Sequence, residues 1–276
     1  MSVDYEQVGY HVSSGIASIY LARPHARNSY TVTMADELAD ALDRADADDE
    51  VRVVVLQAEG DDFCVGADLS GGAFDLGAED DETWDEPAGR CSMRIFALRK
   101  PVIAVIQGAA VGAGSTIVLP CDFRLASPDA RFGFVFTRRG IVPEGASAWF
   151  LPRLVGMGKA LDWMVSGRVF GADEALAAGM VSEVRPREEL LRRAYSLAEE
   201  LASKTAPVAV AITRQMLYRL SGKDSPEAAH RLDSRLIAGA MATPDAMEGI
   251  ASFLERRSPN FPGRVSSDLP EYLPWT

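Results

Sequence analysis

Two runs of small residues could put main-chain chemistry at the surface of this protein, Cys64-Val65-Gly66-Ala67-Asp68 and Gly108 to Gly114. Each follows an apolar run, Val51 to Leu56 and Val102 to Ile106, with the pattern of a strand covered on both faces. Parallel strands ending in such loops can aim backbone N–H groups into one cleft with no side chain in the way. Two N–H donors about 3 Å from a carbonyl oxygen hold the negative charge that an acyl reaction builds there, each worth a few kcal/mol. Ordinary turn chemistry, with glycine wherever φ must be positive, accounts for the same pattern. A second feature is Glu144, in Val142-Pro143-Glu144-Gly145. A carboxyl set among Phe134, Phe136, Trp149 and Phe150 would be pushed up toward neutral pH, where it can exchange a proton with carbon. An acid just after a proline is also what a helix start favours.

Other reactive constellations are missing from the sequence. His11, His25 and His230 are far apart and lack metal-ligand spacing, and neither a GxSxG elbow nor a GxxxxGKS/T loop occurs. The glycines at 108, 112 and 114 fail the dinucleotide pattern, because Ile117 stands where its third glycine belongs. No metal is expected. Cys64, Cys91 and Cys121 are odd in number and have no CxxC spacing, which suits a reducing, cytoplasmic setting. The first residues, MSVDYEQVGYHVSSG, carry acids where a signal or transit peptide needs cations. Across 276 residues, 28 Lys and Arg oppose 40 Asp and Glu, and the net charge of −12 argues against nucleic acid or an anionic membrane as partner. The uncharged span from Pro101 to Cys121 contains Gln107 and the three glycines, and reads as strand, tight loop and helix, not a membrane crossing.

The elements that must carry these loops alternate between strand and helix. Val8, Tyr10 and Val12, then Ser13-Ser14-Gly15, then Ile16, Ser18 and Tyr20 predict a β-hairpin. Thr33 reads as a helix start, with Met34, Leu38, Ala41, Leu42 and Ala45 on one face before a polar stop. A further helix is predicted over Arg90 to Leu98, and short strands at Phe123–Ala126 and Arg131–Phe134. Beyond Ala146 the pattern is nearly all helical, with Arg187 to Ala202 and three starts that place proline in the first turn, at Pro207, Pro226 and Pro244. The acidic stretch from Asp75 to Gly89, which includes Trp84, lacks periodicity and reads as a mobile surface loop. The fold class is α/β, with a core over 1–204 and a helical region over 205–276.

Taken in order and at their separations, FCVGADL (Phe63–Leu69), KPVIAVIQGAAVGAG (Lys100–Gly114), CDFRLAS and FGFVFTRRGIVPEGASAWFLPRLVG (Phe132–Gly156) resemble the enoyl-CoA hydratase/isomerase family, the crotonase fold. LARPHARNSYT (Leu21–Thr31) and FLERRSPNF (Phe253–Phe261) extend the resemblance over nearly the whole chain. It implies a crotonase-like spiral of ββα units, a C-terminal helical trimerisation region, and assembly as a homotrimer or a hexamer made of two trimers. It implies acyl-CoA thioester substrates, coenzyme A being part of the substrate and not a separate cofactor. By the same resemblance the oxyanion donors are the N–H groups of Ala67 and Ala113, in loops that bring Gly66 and Gly112 to the substrate. The nucleotide falls near Arg23, Arg27 and Asn28, with Ala67, Asp68 and Leu69 beneath the adenine. Phe136 and Trp149 join the substrate lining, and Phe253 and Arg256 reach the nucleotide end from a neighbouring subunit.

Hydratases of that family carry two glutamates at positions held here by Thr116 and Phe136, neither of which can act as a base. Glu144 stands where members that shift double bonds carry a single acid. The resemblance therefore implies an enoyl-CoA isomerase that moves a 3-enoyl double bond to the 2 position. Two alternatives remain open: a hydratase with an atypical acid, Asp68 being the nearest in sequence, and an idle protein that binds acyl-CoA. In the tail, Ile212, Met216, Leu220, Leu232, Leu236 and Ile237 supply more apolar surface than an appendage can cover, so an oligomer is expected.

Overall fold

The solid apolar runs divide by face once they are paired. In the computed structural model, which describes residues 5–70 and 84–275, strand β3 (Val53–Ala58) lies parallel to β4 (Val102–Ile106), with Val54 opposite Val102 and Leu56 opposite Ala104. Side chains alternate across a strand, so Val54, Leu56, Ala104 and Ile106 enter the larger core. Val53, Val55, Ile103 and Val105 face a second cluster, closed by Leu190, Ala194 and Ala198 of helix α6 (Arg187–Lys204). A run that is apolar on both faces is what this two-sided burial requires.

The hairpin of β1 (Val8–Ser13) and β2 (Ile16–Leu21) is antiparallel, and β2 then runs parallel to β3. From β4 the parallel series continues through β6 (Phe123–Ala126) to β9 (Glu183–Val184), giving the order β1-β2-β3-β4-β6-β9. A second sheet joins β5 (Ala109–Val111), β7 (Arg131–Gly133) and β8 (Val169–Gly171). Because β3 and β4 are parallel and in register, the segments that leave them emerge side by side at one edge.

Helix α1 (Val32–Ala47) buries the predicted stripe of Met34, Leu38, Ala41, Leu42 and Ala45. Its cap is Thr31, not Thr33: Thr31 Oγ1 accepts the Met34 N–H at 3.0 Å. At the far end the buried Lys100 donates to the carbonyls of Ala45 and Asp48, and burial lowers its pKa to about 8. Helix α2 (Pro87–Ala97) begins earlier than predicted, inside the acidic stretch, and residues 75–83 of that stretch lie outside the described residues. The short α3 (Ala113–Thr116) follows β5.

Later come α4 (Ser147–Ser166), α5 (Ala172–Ala177), α6, α7 (Pro207–Leu220), α8 (Glu227–Ala240) and α9 (Pro244–Glu255); Pro207 and Pro244 stand in the first turns of α7 and α9, while Pro226 is the cap residue before α8. The chain beyond Ala146 is nearly all helical, as expected, apart from the short β8 and β9. Strands this short carry no readable period and are fixed by their partners, Phe170 opposite Phe132 and Glu183 opposite Leu125. Among the described residues no helix is long and apolar enough to cross a membrane.

Residue 205 separates α6 from α7, but α7 is bound tightly to the body. Arg214 donates to the carbonyls of Ile95, Phe96 and Leu98 at the end of α2 and pairs with Asp122 at 2.8 Å. Gln215 donates to the carbonyls of Phe96, Ala97 and Leu98. The tail also returns, with Arg52 donating to the Phe261 carbonyl at 2.9 Å and with Val265 and Leu273 buried. What stands away from the body is α8 and α9, which bury only Ser252 between them.

Removing one partner from a buried ion pair leaves the other charge unpaired. Arg214→Ala is therefore expected to lower the stability of the fold by about 3–5 kcal/mol, read as a lower urea midpoint with a similar slope. An unchanged midpoint would show that α7 is not clamped in this way.

Candidate active site

The loops after β3 and β4 fold onto each other as an extension of the sheets. Cys64 forms a parallel bridge with Ala110, and Tyr30 forms one with Ala67. The Tyr30 N–H donates to the Gly66 carbonyl at 2.8 Å and the Asp68 N–H to the Tyr30 carbonyl at 2.9 Å. A bridged residue between two such bonds turns its own N–H the other way, which applies here to Ala67. Among the described residues neither the Ala67 nor the Ala113 N–H has a backbone acceptor outside its own element, and Ala113 is the first residue of α3. Glycine is required where the loops touch. A Cβ on Gly66 (φ 93°) would lie 2.9 Å from the Val111 oxygen, and one on Gly114 would lie 2.3 Å from the Cys64 oxygen. Gly112 has φ 58° and faces the Gly66 Cα. Two unspent N–H groups on adjoining loops can hold an oxyanion.

Glu144 is half-buried in the turn that leads into α4. Ser147 pins its carbonyl through the N–H at 3.1 Å and the hydroxyl at 2.6 Å. Its carboxyl pKa is raised to about 7, first by burial and then by the negative charge of Glu86. Three of the aromatic residues expected around it have ring partners of their own. Phe134 stacks on Phe170, while Trp149 and Phe150 pack edge-on against Phe96, with Arg153 3.8 Å above the Trp149 ring. Trp149 also lines the cleft between α4 and α7, with Tyr218 and Leu217. Phe136 is buried at the start of a 3-10 turn, Thr137–Arg139. Close to the Gly145 Cα are Thr116 and Ser92, and Ser92 Oγ is a buried hydroxyl without a partner among the described residues. Thr116 Oγ1 donates to the Ala113 carbonyl at 3.1 Å.

The residues expected at the nucleotide end are more engaged than their sequence suggests. Arg23 binds Asp68 at 2.9 Å and the Ser29 carbonyl at 2.6 Å, and Arg27 pairs with Asp62 at 2.6 Å. Asn28 is fully buried and spends its amide on Arg23 N–H, the Glu59 carbonyl and the Asp62 carbonyl, so it braces the loop and does not present a side chain to a ligand. Asp68, the alternative acid, is held well below the usual carboxylate range by hydrogen bonds from Ser70, Arg23 and Ser29, which makes it a poor proton acceptor. Leu69 is exposed beside it. Phe253 and Arg256 are at the end of α9, Phe253 82% exposed and Arg256 in the left-handed cap.

Two participants escaped the sequence reading. Glu86 caps α2 and also accepts the Gly145 N–H at 2.6 Å; its signal was the proline that follows it, the same mark that located three later helices. Tyr30 ties the Ala67 loop to α2 by donating to Cys91 Sγ at 3.0 Å, with the Pro87 carbonyl at 3.3 Å. Among the described residues no group of three His, Cys, Asp or Glu side chains is placed to hold a metal.

Residues 11–264 match the enoyl-CoA hydratase/isomerase family. The enoyl-CoA hydratase ACTT3 of Alternaria alternata is 40% identical over 250 residues, covering 90% of this chain and 83% of its own. The 1,2-epoxyphenylacetyl-CoA isomerase of Escherichia coli (strain K12) is 32% identical over 261 residues, covering 92% and 97%. An enoyl-CoA hydratase from Bacillus anthracis superposes with a TM-score of 0.84 at 29% identity, over 93% of this chain and 99% of that one. The α/β architecture is thus the crotonase fold.

The raised Glu144 pKa carries a signature in stability. The carboxyl releases its proton near 4.5 when unfolded and near 7 when folded, so between these values the folded chain holds more protons and stability falls as pH rises. The full penalty, on the order of 3 kcal/mol, is present above the folded value. Glu144→Gln removes the titration, so its stability relative to the wild type should grow from pH 5 to pH 8 in urea unfolding. A difference that stays constant over this range contradicts the placement of Glu144.

Proposed function

We propose that this chain, which belongs to the enoyl-CoA hydratase/isomerase family, moves a 3-enoyl-CoA double bond to the 2 position with Glu144 as its single proton carrier. Ionised Glu144 takes a proton from C2, and the electrons pass into the thioester carbonyl. The oxygen gains negative charge, which the Ala67 and Ala113 N–H groups stabilise. The dienolate then takes the proton back at C4, leaving the double bond between C2 and C3. One carboxyl serves both steps because its pKa of about 7 keeps both protonation states populated at neutral pH. That perturbed acid, in a site where Thr116 and Phe136 replace the two family glutamates, is the observation that carries the reading.

The phosphates of coenzyme A fall, on this reading, to the Arg23–Arg27 corner. Arg27 is the more exposed of the two, its side chain 65% accessible, and can turn from Asp62 to a phosphate. The exposed Ile237, Met241, Met247, Ile250, Phe253 and Leu254 of the α8–α9 region support assembly with further copies of the chain. A second reading, hydration of a 2-enoyl-CoA, is favoured by the placement of Glu86 beside Glu144 and by the hydratase names of several relatives.

Turnover decides between them. Wild-type protein is expected to isomerise a short 3-enoyl-CoA faster than it hydrates the 2-enoyl product, and Glu144→Gln should cost about 10² to 10⁴ in that rate. Hydration as fast as isomerisation selects the second reading. Tight thioester binding with neither reaction would make the chain a binding protein.

A further inference from the structure

The acidic stretch that lacks any sequence period ends in a residue with two fixed bonds. Glu86 accepts the Gly89 N–H at 2.7 Å through one carboxylate oxygen, capping α2, and the Gly145 N–H at 2.6 Å through the other. The second bond reaches the peptide unit that joins Glu144 to Gly145. The carbonyl of that same unit is the one held by the Ser147 N–H and hydroxyl. The peptide is therefore gripped at both ends, on one side by α4 and on the other by a side chain from the start of α2. The turn needs such support, since Gly145 and Ala146 have successive positive φ values of 65° and 51°, a region costly for alanine.

We infer that Glu86 is a positioning residue for Glu144: by holding the Glu144–Gly145 peptide from the start of α2, it sets the direction from which the acid meets the thioester. The inference rests on the reading of Glu144 as the proton carrier. A second effect accompanies the first, because the charge of Glu86 helps keep a proton on Glu144. Among the described residues, the other titratable groups that interact with Glu144 are Cys64, in the loop after β3, and Tyr30, just before α1. Burial pushes the Cys64 thiol up to about 12 and raises the Tyr30 phenol, so neither offers a charge at neutral pH.

Gly89 provides a test that leaves both carboxyl groups in the chain. A Cβ on Gly89 would lie 2.4 Å from Glu86 Oε1, the oxygen that binds Gly145, and 3.0 Å from Glu86 Cδ. The far end of a flexible side chain moves more easily than a helix, so Gly89→Ala displaces the carboxylate and keeps α2. Gly89→Ala is expected to lower kcat for isomerisation at least fivefold, with KM for the thioester within twofold and no fall in Tm. Glu86→Gln should lower kcat similarly and move the acidic limb of its pH profile downward. A kcat within twofold of wild type in folded Gly89→Ala overturns the inference, whatever the folding of Glu86→Gln.

Carbon-13 NMR titration of the Glu144 carboxyl separates this inference from the proposed reaction, since it needs no turnover. The midpoint should fall in Glu86→Gln and Gly89→Ala; an unmoved midpoint in both places Glu86 away from Glu144 and overturns the inference. Full activity in Glu144→Gln removes the proton-carrier reading, and with it the positioning role, even where the midpoint moves.

Discussion

The site depends on backbone packed directly against backbone. The loops that leave β3 and β4 approach until a single methyl group at Gly66 or Gly114 would collide with a carbonyl oxygen of the other loop. No side chain can mediate so close a contact, and hydrogen bonds take its place. Cys64 N–H bonds the Ala109 carbonyl and Val111 N–H bonds the Cys64 carbonyl. Once these pairings are made, the N–H groups of Ala67 and Ala113 are left over and share a neighbourhood. The parallel register of β3 and β4, set by burial of Val54, Leu56, Ala104 and Ile106 in the core, brings the loops to the same edge. The pair of unspent N–H groups is thus a by-product of strand pairing.

Charge in this protein acts through placement more than through its sum. A chain at −12 places Asp68 on Arg23, Asp62 on Arg27 and Asp122 on Arg214. The first two pairs shape the corner assigned to the nucleotide, and the third fastens a helix. Around Glu144 the arrangement is the reverse, with a second carboxylate and buried neutral groups as neighbours. Opposite charge lowers a carboxyl pKa, and burial with like charge raises it. A carboxyl group is therefore held ionised as a brace at Asp68, while the pKa of the one at Glu144 is raised to about 7.

Tyr30 and Glu86 join these two regions into one frame. Tyr30 bridges to Ala67 through its main chain and reaches the start of α2 with its hydroxyl. From there Glu86 reaches the Glu144 turn. The Ala67 loop and the Glu144 turn are thus held relative to each other through directional bonds.

Residues 53–56 and 102–106, the stripe on α1 and the proline-marked starts of α7, α8 and α9 determined their own elements. Side-chain period and the fixed φ of proline act within a few neighbouring residues. The glycine loops and Glu144 were legible for the same reason, as local patterns with chemical meaning. Tertiary structure alone decided that Arg23 is tied to Asp68, 45 residues away, that Asn28 is spent on internal carbonyls, and that Trp149 packs edge-on against Phe96. It alone carried Glu86 to Gly145 across 59 residues. Hydrogen bonds, ion pairs and ring contacts reach only a few ångströms and depend on direction, so their partners are chosen by which segments the sheets and helices bring together, and that choice leaves no local trace in the chain.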